Sequence, residues 1–301
     1  MKRFLSLCAF VLLTAPLAAT AADPLVDAAW VKANAANPKV RLVDIRGTWK
    51  FLNGHIPGAV VTQYGGKQGW RFEKNGVNSL LPEIPYLENM IGGLGIDNDT
   101  HVVITPGGYD SEEMAAAARI YWTFKLLGHD QISILNGGIT AYIKARYPLK
   151  KGPAQVERKT FKAHFTPHHI AYTKDIKAAL KDGMTLLDTR PNYQYLGVNK
   201  SSSVKRYGTL PGAINVPGPW LTINNKGTFR TVAGIHKLYA AAGAPTTGKS
   251  IFFCNTGNWS SLGWFVHSEL LGNKQTSMYD GSLAEWTQDP TNPVVRKIIG
   301  E

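Results

Sequence analysis

The sequence predicts an α/β protein built from two tandem copies of one domain, each a mainly parallel sheet flanked by helices on both faces. Three observations predict it. Short apolar strands alternate with helical segments along the chain, the pattern of a parallel sheet covered on both sides. Motifs recur: Asp44-Ile45-Arg46 returns 144 residues later (188 minus 44) as Asp188-Thr189-Arg190, and Leu135-Asn136-Gly137-Gly138 returns at the same offset as Tyr279-Asp280-Gly281-Ser282. The 301 residues, 44% of them hydrophobic, supply core for two such domains and exclude a disordered chain. A repeat this long is a duplicated domain rather than a solenoid unit.

The elements follow in order. Residues 1–22 read as a secretory signal peptide. Met1-Lys2-Arg3 is its positive start, residues 4–15 form an apolar run too short to span a bilayer, and Ala19-Thr20-Ala21 gives the small-x-small cleavage pattern. Leu7 before Cys8 argues against a lipid anchor. The mature chain is therefore expected to be soluble, exported and periplasmic, with no membrane insertion. Copy one, 25–150, shows a helical stretch at 24–34 with Trp30 on its apolar face and a strand at 40–43. A helix at 84–92, a strand at 101–105, an Ala-rich helix at 111–127 and a strand at 132–135 follow. Residues 151–164, with Gly152, Pro153 and few apolar side chains, read as a linker. Copy two, 165–297, repeats the alternation: helix 173–180, strand 185–187, helix 234–242, strand 250–253, helix 260–271 and strand 277–279.

The formal charge is +12, or +10 once Lys2 and Arg3 leave with the signal. Basic runs are no longer than Lys150-Lys151 and Lys205-Arg206. A surplus so spread fits attraction to small anions and gives no nucleic-acid stripe.

Of two cysteines, Cys8 lies in the signal, so Cys254 is the one thiol of the mature chain and no internal disulfide forms. Cys254 ends the 250–253 strand, the end where ligands of parallel sheets bind. The loop Asn255-Thr256-Gly257-Asn258-Trp259 then leads to Ser260 and Ser261, which can cap the next helix. Backbone N–H groups at a helix start favour a thiolate and bind anions, and Gly257 lets the loop curl inward. A small buried cysteine is the plain alternative. The strand-end position and the loop chemistry favour a reactive thiol.

With these motifs in view, the chain resembles the tandem-domain rhodanese family, the thiosulfate/mercaptopyruvate sulfurtransferases, in an exported form. The resemblance rests on the duplicated Asp-x-Arg, on Gly54-His55-Ile56-Pro57-Gly58-Ala59 and Gly208-Thr209-Leu210-Pro211-Gly212-Ala213, on Cys254-x-x-Gly257-x-x-Ser260, and on Tyr279-Asp280-Gly281-Ser282-x-x-Glu285-Trp286. It covers nearly the whole mature chain. It implies a sulfurtransferase in which Cys254 takes a sulfane sulfur from thiosulfate or a related anionic donor as a persulfide. Cyanide or a thiol, a protein thiol included, then removes it. It implies Asn255, Thr256, Gly257, Asn258, Trp259, Ser260 and Arg190 as substrate-binding residues, Asp188 as structural support, and no metal or organic cofactor; for Arg190 the alternative is a buried pair with Asp188 that braces the active loop. Counting back without gaps from the shared Leu-Leu-Gly marker puts Asp110 in the place of Cys254, so copy one is expected to be silent.

The chain departs from the family in places. Gln194 stands where the active domain often carries a second arginine, and Asn255-Thr256 replaces an Arg-Lys pair. Lys200, Lys205, Arg206 and Arg230 are the candidates for the missing positive charge. His164, His168 and His169 read as a solvated joint rather than a metal set. Two other classes compete: a noncatalytic persulfide carrier or sulfur-binding module, and a cysteine-dependent phosphatase or arsenate reductase. The second needs Cys-x5-Arg, and Ser260 occupies the arginine's place.

Overall fold

The computed structural model describes residues 21–298, so the signal read at 1–22 lies, but for its last two residues, outside the described residues. The first half runs β1 (Leu25–Val26), α1 (Ala28–Asn34), β2 (Val40–Asp44), α2 (Thr48–Asn53), β3 (Val60–Val61), β4 (Phe72–Lys74), β5 (Val77–Leu80), α3 (Ile84–Gly93), β6 (His101–Thr105), α4 (Ser111–Leu126), β7 (Ile132–Leu135) and α5 (Gly138–Lys144). The second runs β8 (Ile170–Ala171), α6 (Thr173–Asp182), β9 (Thr185–Asp188), α7 (Asn192–Leu196), β10 (Ile214–Asn215), α8 (Val232–Ala241), β11 (Ser250–Phe253), α9 (Asn258–Phe265), β12 (Thr276–Tyr279) and α10 (Ser282–Trp286). Two five-stranded parallel sheets result, β1-β7-β6-β2-β3 and, in the same sense, β8-β12-β11-β9-β10. The central strands β7 and β11 are buried along their length and β6 along all but its first residue, which is why they read as mainly apolar runs with single polar positions such as Ser133 and Ser250. In place of the β4–β5 hairpin the second half has a single antiparallel bridge, Thr222 to Phe229, ahead of α8.

The halves meet along α4 and α9. The alanines Ala115, Ala117 and Ala118 and the rings of Tyr121 and Phe124 share one apolar core with Leu262, Phe265 and Val266. Tyr121 packs edge-on to Phe265 at 4.8 Å, and its hydroxyl donates to Glu269 Oε2 at 3.0 Å. Within α9, Gly263 is required because a Cβ there would lie 2.6 Å from both Phe252 and Thr189 on the sheet beneath.

Two expectations are corrected here, and the linker gains detail. The 151–164 segment is exposed along most of its length but is tied down at points: Lys159 N donates to Gly92 O, His164 N to Leu127 O, and Phe161 is buried against Phe124 and His129. His169 is buried rather than solvated, edge-on to Trp264 at 5.3 Å, and burial pushes its imidazole down to about 4. Finally, Asp110 does not occupy the place of Cys254. Sheet register pairs Asp44 with Thr105 and Asp188 with Phe253, so the residue following the strand is Pro106 in one half and Cys254 in the other. Asp110 caps α4, accepting from Glu113 N at 2.9 Å, and matches Gly257, the cap of α9. The ungapped count fails because copy one has three more residues between this cap and Leu-Leu-Gly, while α9 continues through Val266–Leu270 as a wide π-turn.

Candidate active site

Cys254 follows β11 at the carboxyl end of the second sheet and is 1% exposed. Its backbone is pinned on both sides: its N–H donates to Ser282 Oγ at 3.1 Å, and its carbonyl accepts from Leu283 N at 3.1 Å. Ser282 in turn donates to Tyr279 O at 2.8 Å and holds a left-handed φ of 49°. Its counterpart at the same offset is Gly138, with φ 58°. A serine thus occupies a conformation that suits glycine, and its hydroxyl holds the cysteine's backbone.

After Cys254 the chain curls through Gly257, at φ 83°, into α9. A Cβ on Gly257 would run into the Arg119 guanidinium, so this position needs glycine on two counts. Among the described residues, the backbone N–H groups of 255–260 donate to no protein acceptor. They are the open, positive end of the helix dipole beside the thiol. Ser260 is fully buried and its hydroxyl points to Cys254 Sγ at 3.5 Å. Asn255 donates to Gln194 Oε1 at 2.8 Å, so the residue standing for the family's second arginine is engaged in holding the loop. Trp259 packs on the backbone at Gly218.

Cys254, Asn255, Thr256, Asn258 and Trp259 line a cavity of about 470 Å³. The opposite wall comes from the first half: Arg46, Lys50, Tyr64, Arg71, Glu112 and Glu113. Gly257 and Ser260 support the loop behind this lining. The sequence reading missed Tyr64, Arg71, Lys50 and Glu112, since their segments carry no repeated motif. A basic residue within the aromatic stretch Tyr64, Trp70, Phe72 was the one signal available. Tyr64 donates from its hydroxyl to Asn258 Oδ1, and burial pushes its phenol up to about 12.

Arg190 lies elsewhere. It is fully buried, with Nε 3.0 Å from Asp188 Oδ1, Nη2 2.6 Å from Asp188 Oδ2, and Nη2 donating to Gly208 O at 2.8 Å. It braces the Gly-x-x-Pro-Gly turn and is not among the residues lining the cavity at Cys254, which corrects its assignment as a substrate contact. Arg46 repeats the clamp on Asp44 and Gly54 O, at 2.6 and 2.7 Å. Lys200, Lys205, Arg206 and Arg230 do not line the cavity either. Arg206 binds the carbonyls of Asp289, Pro290 and Asn292, Arg230 binds that of Trp220, and Lys200 lies over the Tyr207 ring.

One ion pair joins the halves behind the loop. Arg119 of α4, fully buried, bonds the Asp280 carboxylate and donates to Gly257 O at 3.4 Å and Ser79 O at 3.3 Å. Asp280 also accepts from Leu81 N at 2.8 Å. No group of three His, Cys, Asp or Glu side chains among the described residues is placed to hold a metal. Nor is any described helix long and apolar enough to cross a membrane.

Comparison with known proteins adds a family. The rhodanese-like domain model matches residues 27–145 and again 172–289. A Haloferax volcanii protein named "Putative thiosulfate sulfurtransferase" is 30% identical over 282 residues, covering 88% of this chain and 94% of its own. The sulfur carrier protein TtuD of Thermus thermophilus is 28% identical over 279 residues, covering 88% and 93%. The crystal structure of SseA from Escherichia coli, a 3-mercaptopyruvate sulfurtransferase, superposes with a TM-score of 0.76 at 23% identity, covering 87% of this chain and 99% of that one.

Proposed function

The chain belongs to the rhodanese sulfurtransferase family, and on that premise we propose that it moves a sulfane sulfur from thiosulfate or a related anionic donor to a thiophilic acceptor through Cys254. The observation that carries this reading is the position of the thiol: at the floor of a cavity, beside a loop whose N–H groups at 255–260 have no protein acceptor. The Cys254 thiolate attacks the outer sulfur of thiosulfate. The S–S bond breaks, sulfite leaves with its electron pair, and Cys254 carries a persulfide. The charge on thiolate and persulfide is met by the loop amides and by the Ser260 hydroxyl. Cyanide or a thiolate then takes the outer sulfur and restores the thiolate, so no external oxidant or reductant is needed.

In this reading residues 165–297 are the catalytic domain. Residues 25–150 form a silent one, with Pro106 where a thiol would stand, and supply the cavity's far wall. Export to a periplasm through the 1–22 signal belongs to the same proposal. The likeness to a sulfur carrier protein favours a second reading, in which the persulfide is handed to a protein thiol. Intact-protein mass spectrometry after thiosulfate treatment, with mercaptopyruvate and Cys254→Ser alongside, tests both. A cyanide-reversible gain of one sulfur, absent in the variant, is expected. No gain from either donor overturns the donor assignment. A persulfide that resists small acceptors but discharges to a protein thiol selects the carrier.

A further inference from the structure

We propose that Arg71, in the domain without the thiol, is the residue that binds the anionic end of the sulfur donor; this deepens the persulfide reading above. Cations that line the cavity with Cys254 are Arg46, Lys50 and Arg71. Arg46 is committed to Asp44 and to Gly54 O. Lys50 lies 3.9 Å from Glu113. Arg71 alone of the three has no hydrogen bond or ion pair to any described residue, and its Nε is buried without a partner. Other arginines, Arg41, Arg119 and Arg206, also leave Nε unpartnered, but of these residues only Arg71 lines the cavity with Cys254, where an anionic ligand can supply the acceptor.

The guanidinium is nonetheless held in place. It lies 4.0 Å over the Tyr64 ring, and the Tyr64 hydroxyl is bonded to Asn258 at the start of α9. Arg71 is therefore positioned against the Cys254 loop through one rigid ring that spans the two domains. Stacking occupies a face of the guanidinium and leaves its edge, the planar fork that pairs with two oxygens of a sulfonate or carboxylate. The loop amides then meet the sulfur end of the donor and Arg71 its oxyanion end. Glu112 lines the same cavity with no ion pair to any described residue, so its carboxylate opposes an anionic donor.

The test uses two alkylating reagents of nearly equal size, iodoacetate and iodoacetamide, which differ in charge. Each loses iodide to the Cys254 thiolate, and neither requires sulfur transfer. Their rates at Cys254 are followed by intact mass in wild type, Arg71→Met, Arg71→Lys and Glu112→Gln. Arg71→Met is expected to slow iodoacetate about tenfold, the loss of one charge-assisted pair, and to leave iodoacetamide within about twofold. Arg71→Lys recovers part of the iodoacetate rate, and Glu112→Gln raises it above wild type. Equal effects on both reagents, or none, overturn the proposal. If the charge preference follows Arg71 while wild type gains no sulfur from thiosulfate, the anion site stands and the donor reading falls.

Discussion

Replacing Ser282 offers a test in which glycine should outperform alanine. At an ordinary position glycine costs about 0.5–1 kcal/mol relative to alanine through chain entropy. Ser282 is fully buried at φ 49°, where a Cβ costs about 1–2 kcal/mol. Its hydroxyl is the acceptor of Cys254 N–H at 3.1 Å. Either substitution leaves that buried N–H without a partner, a penalty of about 1–3 kcal/mol. Ser282→Ala keeps the strain and loses the bond, so it should be destabilised by about 2 kcal/mol. Ser282→Gly loses the bond and relieves the strain, so it should be the more stable variant by roughly 0.5–1 kcal/mol. Gly138 at φ 58° in the other half shows that the conformation suits glycine. Urea midpoints at constant m-value measure the order. Persulfide loading should fall about tenfold in both variants, because the cysteine loses one of its two backbone anchors. An alanine variant more stable than the glycine one, or wild-type loading in both, would refute the argument.

Three further outcomes are expected. Arg119→Met strands the Asp280 carboxylate in the interface and should cost about 3–5 kcal/mol by chemical denaturation, while Arg119→Met with Asp280→Leu should cost less. Arg190→Met should be comparably costly, and Arg46→Met less so, because the second clamp is 8% exposed at its arginine where the first is sealed. Burial holds the His169 and His267 imidazoles down to about 4, below the ordinary value near 6.5. The unfolded chain therefore binds more protons between these values, so stability is full above about pH 6.5 and falls as the pH drops toward 4. Each histidine should contribute a loss of about 2 kcal/mol by pH 5, and His267→Gln should flatten the curve of urea midpoint against pH.

The duplication was legible because strand ends repeat their chemistry: Asp-x-Arg closes β2 and β9 for the same mechanical reason, to clamp a glycine carbonyl. Cys254 was legible as a polar-looped strand end. The Asp188–Arg190 pair was legible as a buried brace from its repeat at Asp44–Arg46; the substrate contact also assigned to Arg190 fails because its guanidinium folds back on Asp188 and the Gly208 carbonyl. The far wall of the site was not legible, since Tyr64 and Arg71 come to line one cavity with Cys254 only after α4 and α9 pack together, an arrangement no local pattern encodes. The attachments of the 151–164 segment were not legible for a related reason. They rest on one buried side chain, Phe161, and on backbone bonds such as that to α3, which composition does not report.

The shared core of α4 and α9 carries a historical consequence. A duplicated gene ordinarily leaves one copy free to decay or be deleted. Here the copy without a thiol covers Leu262 and Phe265, seats Arg119 behind the loop, and lends Tyr64 to the wall of the cavity. Trimming the chain to its thiol-bearing half would bare an apolar helix face and strand a buried aspartate. The two halves have become one inheritable object, whose parts can change sequence but can no longer separate.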